Sequence, residues 1–249
     1  MFIDKAPGRS KTALTSAAVS GLLAISNPAA AATLVQYDFT GNAGNENTEA
    51  ASFTASNLSS ISFSRGAGLS ATSGTNSFSA ASWGNYSTNM TDYLTFGLNI
   101  ASGYTASVNQ LTFSSRSSNT GPGSLAVLAA IDGGAFTQVA SFGQTNDTVG
   151  NQTLNFAPLT GVSSVIFRIV ANGSTAANGG TLAGGGTFRV QNFAGTPASP
   201  FSINGNVAAV TGAVPEPAAW TMMILGMGAV GFALRRRKST SSSAAAHAA

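Results

Sequence analysis

From Thr33 to about Val214 the chain alternates short runs of apolar and polar positions, interrupted every few residues by Gly, Asn, Ser or Thr. Tyr93-Leu94-Thr95-Phe96-Gly97-Leu98-Asn99-Ile100 puts Leu94, Phe96, Leu98 and Ile100 on one face of an extended segment, the period-two pattern of a half-buried strand. The same pattern predicts strands over Leu34–Phe39, Leu58–Phe63, Phe78–Trp83, Val108–Ser115, Leu125–Ile131 and Phe136–Phe142. It continues over Leu154–Phe156, Val165–Ala171, Thr187–Phe193 and Phe201–Val207, about eleven strands in all. Ser164–Val170 is the most apolar of them and is expected to be central and buried. Helical periodicity is missing from this region, and turn residues are abundant. An antiparallel sandwich is therefore expected in place of βαβ units. Asp132-Gly133-Gly134 reads as a tight hairpin turn, because glycine accepts positive φ. Gly41–Ala50 and Asn172–Gly186 read as long flexible loops.

The two ends follow other patterns. Residues 1–32 have a basic start ending at Lys11, an apolar stretch from Ala13 to Ile25, and then Asn-Pro followed by small residues. This is the layout of a secretory signal peptide, with Ala30 and Ala32 meeting the small-x-small rule for cleavage after Ala32, and it implies the Sec export machinery as a partner. At the other end Val214-Pro215-Glu216-Pro217 precedes Ala218–Leu234, a stretch of 17 residues without charge, and Arg235, Arg236, Arg237 and Lys238 follow directly. At about 1.5 Å per residue such a helix is roughly 25 Å long, so a transmembrane helix over 218–234 with a basic cytoplasmic stop is expected. The expected organisation is a signal peptide at 1–32 and an exported domain at 33–213. A sorting and membrane segment at 214–238 and a disordered Ser/Ala tail at 239–249 complete it.

Charge and composition narrow the chemistry. Only 8% of the residues are charged, and cysteine is absent, which removes disulfides, thiolate metal sites and Cys nucleophiles. The excess of positive charge behind the net +3 resides in the ends. Between Thr33 and Val214 stand Arg65, Arg116, Arg168 and Arg189 against Asp38, Glu46, Glu49, Asp92, Asp132 and Asp147, four minus six, or minus two. A basic footprint for nucleic acid is thus missing from the domain. The same region contains no His, Cys or Lys, so its many serines have no neutral base, and histidine-based metal centres are closed. No cofactor and no metal are expected. The six carboxylates are the nominal candidates for a glycosidase pair, with Glu46 and Glu49 together in an Asn-rich loop. Trp83-Gly84-Asn85-Tyr86, with Asn89 nearby, combines aromatic faces with amides, the chemistry of a carbohydrate-binding site, although a Trp at a strand end also serves as core.

The order Pro215-Glu216-Pro217-Ala218-Ala219-Trp220-Thr221-Met222-Met223-Ile224-Leu225-Gly226-Met227-Gly228, ending in Arg235–Arg237, resembles the PEP-CTERM sorting signal of Gram-negative bacteria. The resemblance implies recognition by an exosortase, a cut at or near Pro215–Pro217, and company with exopolysaccharide and biofilm functions. The segments Tyr93–Phe96, Leu111–Phe113, Gly121-Pro122-Gly123, Ile131–Gly134 and Ile166–Ile169 resemble a jelly-roll-like ectodomain recurrent among such proteins. The fold expectation is all-β: a jelly-roll-like antiparallel β-sandwich flanked by an N-terminal signal helix and a C-terminal transmembrane helix. The functional expectation is a non-catalytic exported surface or matrix protein. It would be tethered to the inner membrane with its domain in the periplasm, then processed by the exosortase and delivered to the outer surface or matrix. A carbohydrate-binding module is the alternative, and a polysaccharide-active enzyme a more distant one.

Overall fold

The computed structural model describes residues 31–195, 197–210, 221–232 and 235. Residues 1–30 of the signal peptide expected over 1–32, with Ala30, and the tail 239–249 lie outside the described residues. Ala32 lies inside them, as the first residue of a strand opposite Gly205.

Among the described residues fourteen strands follow in order: β1 (Ala32–Tyr37), β2 (Thr48–Glu49), β3 (Phe53–Thr54), β4 (Leu58–Arg65), β5 (Ser70–Ala71), β6 (Ser77–Ala81) and β7 (Tyr93–Ile100). Then come β8 (Tyr104–Ser117), β9 (Ser124–Ile131), β10 (Thr137–Gly143), β11 (Gly150–Val162), β12 (Ser164–Ala171), β13 (Phe188–Gln191) and β14 (Phe201–Ala209). They make two sheets. The eight-stranded sheet runs β3-β1-β14-β8-β13-β6-β5 with β11 also on β8, and the six-stranded sheet runs β10-β9-β12-β7-β4-β2. β11 takes residues 106–115 of β8, β14 takes 104–112 and β13 takes 114–117, so β13 and β14 share the edge opposite β11. The strand pairs are antiparallel, and the chain stays within one sheet only from β5 to β6, β9 to β10 and β13 to β14, changing sheet at each of the other connections between these strands. The expected antiparallel sandwich is the observed architecture.

The inward faces interdigitate through aromatic rings. Tyr37, Phe78, Phe113 and Phe201 of the eight-stranded sheet meet Phe63, Phe96 and Phe167 of the other, all fully buried. Phe63 stacks on Phe96 at 4.9 Å, and Phe96 meets Phe201 edge-on at 4.8 Å. Edge-to-face and offset pairs of this kind add to the burial of large apolar area. The Tyr37 hydroxyl, fully inside, donates to the Ile61 carbonyl at 2.5 Å and accepts from the Gly97 N–H at 3.4 Å; burial pushes its pKa up. β12 is central, between β7 and β9, with Val165, Phe167 and Ile169 facing in and Val170 also covered.

Three differences from the sequence reading have physical causes. β2, β3 and β5 are two-residue strands, too short to carry a period. β11 extends over Gly150–Val162 where only Leu154–Phe156 was expected, because its outward positions are polar and backbone pairing to β8 defines it. The segment Asn172–Gly186, expected to be flexible, is held by backbone bonds from Gly123 to Thr175, Ala177 to Gly121, Leu182 to Ser174 and Ala183 to Thr120, and it buries Ala176. The Asp132-Gly133 turn does join β9 to β10, with φ of 51° and 76°.

Candidate functional site

Trp83 does not face solvent. It follows β6 and is 3% exposed, its indole Nε1 donates to the Ala80 carbonyl at 2.9 Å, and its ring meets Phe188 edge-on at 5.5 Å. The expected stacking role of Trp83 is therefore corrected: no face of the ring is open to a sugar. The segment after it is organised by Asp92, which is fully buried and accepts hydrogen bonds from the Gly84 N–H at 2.8 Å, the Asn89 amide at 2.7 Å and Thr91 Oγ1 at 3.3 Å. A Cβ on Gly68 would lie 1.9 Å from the Asp92 carboxylate, so a side chain is sterically barred there. The Asn85 side chain accepts from the Ser87 N–H at 3.1 Å and closes a local turn.

Tyr86 belongs to a different group. Its hydroxyl accepts from Arg168 at 3.2 Å, and the Arg168 guanidinium lies between the rings of Tyr93 at 3.7 Å and Phe136 at 4.0 Å. These four half-buried side chains cover Ala126, Leu128 and Val170 on the outer face of the six-stranded sheet. The sequence separates Tyr86 from Arg168 by 82 positions and offered no signal that they meet.

The remaining carboxylates are occupied by the fold. Glu46 accepts from the N–H groups of Ala43 at 2.6 Å and Gly44 at 2.9 Å, and Glu49 accepts from the Asn42 amide at 2.7 Å. Arg65 clamps the same loop: Nε donates to the Ser79 carbonyl, while its other nitrogens reach the carbonyls of Glu46 and Gly44, with Phe78 3.8 Å beneath. Burial lowers its pKa to about 10. Asp132 accepts from the Ser163 and Ser164 N–H groups, each at 2.8 Å. Asp147 pairs with Arg116 at 2.5 Å, and that bond holds its carboxyl below the ordinary range. Asp38 is held low by the Thr40 and Asn192 side chains, the Asn192 amide being 2.7 Å away. Among the described residues, no group of three or more His, Cys, Asp and Glu side chains comes together.

Two open clefts flank the loop after β13. One of about 270 Å³ is lined by Thr40, Asn76, Asn192, Ala194 and neighbours, and one of about 200 Å³ by Thr112, Thr153, Phe193 and Ser199. Sequence reasoning did not select Phe193, which sits on the outer face of the eight-stranded sheet through an isolated bridge to Ser199.

Beyond β14, residues 221–232 and 235 are helical, and Met222, Met223 and Ile224 are 73%, 58% and 64% exposed. A Cβ on Gly226, Gly228 or Gly231 would meet nothing within 4 Å. No helix among the described residues is long and apolar enough to cross a membrane. The transmembrane helix expected over 218–234 is therefore not supported. Pro215, Glu216, Pro217, Trp220, Arg236, Arg237 and Lys238 lie outside the described residues.

No curated protein matches the chain. Solved structures with some likeness include a mutant of the CBM29-2 carbohydrate-binding module complexed with mannohexaose, at 12% identity and a TM-score of 0.35, covering 70% of this chain and 92% of that one. A family 29 carbohydrate binding module is comparable, at 12% identity and a TM-score of 0.36, covering 70% and 88%. Likeness at this level carries no argument about binding. The family profile described as the PEP-CTERM protein-sorting motif matches residues 213–238. Directly behind its β domain, the chain therefore carries a PEP-CTERM protein-sorting motif.

Proposed function

We propose that the chain is the precursor of an exported, non-catalytic surface or matrix protein, anchored at the membrane through its C-terminal motif. An exosortase then cuts it at or near Pro215–Pro217, and the β domain goes on to work within an exopolysaccharide or biofilm matrix. The observation that carries this reading is the match of the sorting motif to residues 213–238, immediately after a complete folded domain. Geometry supports it. The last strand, β14, ends at Ala209, and Val210 closes it with a bond to the Gly103 carbonyl, so a cut near Pro217 spares every strand. Pro215, Glu216 and Pro217 are the residues read by the enzyme. Trp220, Met222, Met223 and Gly226 form the apolar part of the signal, and Arg235–Lys238 its basic stop.

The domain's surface chemistry fits a hydrated glycan environment, with neutral hydroxyls and amides outnumbering charges. Mass spectrometry of the protein from cell and medium fractions tests the processing. A mature C-terminus near Pro217, lost in a strain without the exosortase, is the expected result. A C-terminus downstream of Arg237 in the wild-type strain would sink it.

A further inference from the structure

Strand register assembles something on the outer face of the eight-stranded sheet that no local stretch of sequence contains. Gln36 of β1 stands opposite Ser202 of β14, Ser202 opposite Thr112 of β8, and Thr112 opposite Thr153 of β11. The neighbouring row is Thr33, Asn204, Gln110 and Asn155 on the same four strands. Their sequence neighbours Val35, Phe201, Leu111 and Leu154 point into the core, which turns these eight side chains to the outer face, where Ser202 and Asn204 of β14 are buried at 5% and 7% and the other six are at least partly exposed. Neither row contains a charged residue.

The second row is wired in one direction. The Asn204 amide donates to Gln110 Oε1 at 3.0 Å, and the Gln110 amide donates to Asn155 Oδ1 at 2.8 Å. Each bond fixes the orientation of the next amide. The chain therefore ends with the Asn155 NH₂ on the outermost strand, an exposed donor with no partner among the described residues. The Thr153 hydroxyl beside it is also exposed and without a side-chain partner there. An aromatic side chain bounds each end of the first row. Phe53 of β3, directly opposite Gln36, is 46% exposed, and Phe193 shares the 200 Å³ cleft with Thr112 and Thr153. From β3 to β11 the strip crosses five strands, about 19 Å at roughly 4.8 Å per strand.

We infer that this strip binds a neutral polysaccharide strand lying across the sheet. Sugars offer hydroxyls that both donate and accept, and C–H faces that stack on rings; the strip supplies amides, hydroxyls and two rings in a fixed arrangement. Pre-oriented amides lose little conformational freedom on binding, so each bond contributes more. An acidic polymer would meet no cation in either row and a domain whose charges sum to minus two. The inference rests on the reading of the domain as one that works among polysaccharides, and it moves the contact from Trp83 to the outer face of the eight-stranded sheet.

The test is affinity electrophoresis of the full chain, purified in detergent, through gels containing neutral glucans, mannans, xylans or galactans, or containing polygalacturonate. Retardation by at least one neutral polymer is expected, weakened roughly fivefold or more by Asn155→Ala and by Phe53→Ala, and unaffected by Tyr86→Ala on the other sheet. Both weakening substitutions are at exposed positions, and near-ultraviolet circular dichroism checks that the fold survives them. Four results would overturn the inference. These are no retardation by any neutral polymer, stronger retardation by polygalacturonate, undiminished binding in both variants, or self-association of the chain that Asn155→Ala abolishes. Because the unprocessed precursor is used, the outcome is independent of exosortase cleavage, and each reading can fail without the other.

Discussion

Asp38 illustrates how single side chains here serve the fold. Thr40 and Asn192 donate to its carboxylate and lower its pKa below the ordinary value of 3.8, so the folded state binds its proton less readily than the unfolded chain does. By linkage, the stability it contributes is complete above the ordinary value and is lost as the pH falls through the folded one. Thermal midpoints measured between about pH 6 and pH 2 should therefore fall on the acid side. In Asp38→Asn that fall should be shallower, because the variant keeps an oxygen for Asn192 but has nothing to titrate. A variant profile as steep as that of the parent would refute the assignment. Arg65 reverses this pattern, being a half-buried cation whose lost hydration is offset by three carbonyls and the face of Phe78. Neither role is visible in the local sequence, since Asp38 meets Asn192 across 154 positions and Arg65 meets Ser79 across 14.

At the level of elements, alternation of side chains gave the long strands directly. β4, β7, β9, β12 and β14 fall within a few residues of their expected bounds, because one face of each is packed with apolar side chains. How closely strands approach is a separate matter. Gly97 lies in the middle of β7 opposite Ile166, and a Cβ there would sit 2.3 Å from the Val165 carbonyl oxygen. Gly97→Ala must push β7 away from β12 and is expected to destabilise by about 2 kcal/mol or more, read from the shift of the urea midpoint at unchanged slope. An unchanged midpoint would mean that the sheet yields without loss. The sequence showed a glycine at an outward strand position; only the neighbouring backbone explains why nothing larger fits.

For the whole molecule, the relevant division is between the folded domain and the signal that follows it. The described part of the signal buries none of its apolar side chains, while the domain closes on itself through β14. Precursor and mature protein are therefore expected to unfold at midpoints within about 0.5 kcal/mol of each other in the same detergent solution, and a larger gap would show that the signal helps hold the sandwich together. What the sequence determined by itself was contiguous: the sorting motif, read in order along 213–238, the period-two strands, and the lack of His, Cys and Lys between the ends. Each of these depends on neighbours in the chain or on composition, and folding does not alter it. Tertiary structure alone decided that Trp83 turns inward, that Tyr86 joins Arg168, and that polar residues from β1, β14, β8 and β11 line up in two rows. Pairing register makes those decisions, because a slip of one residue moves every side chain of a strand to the other face, and register is fixed by contacts between residues far apart in the chain.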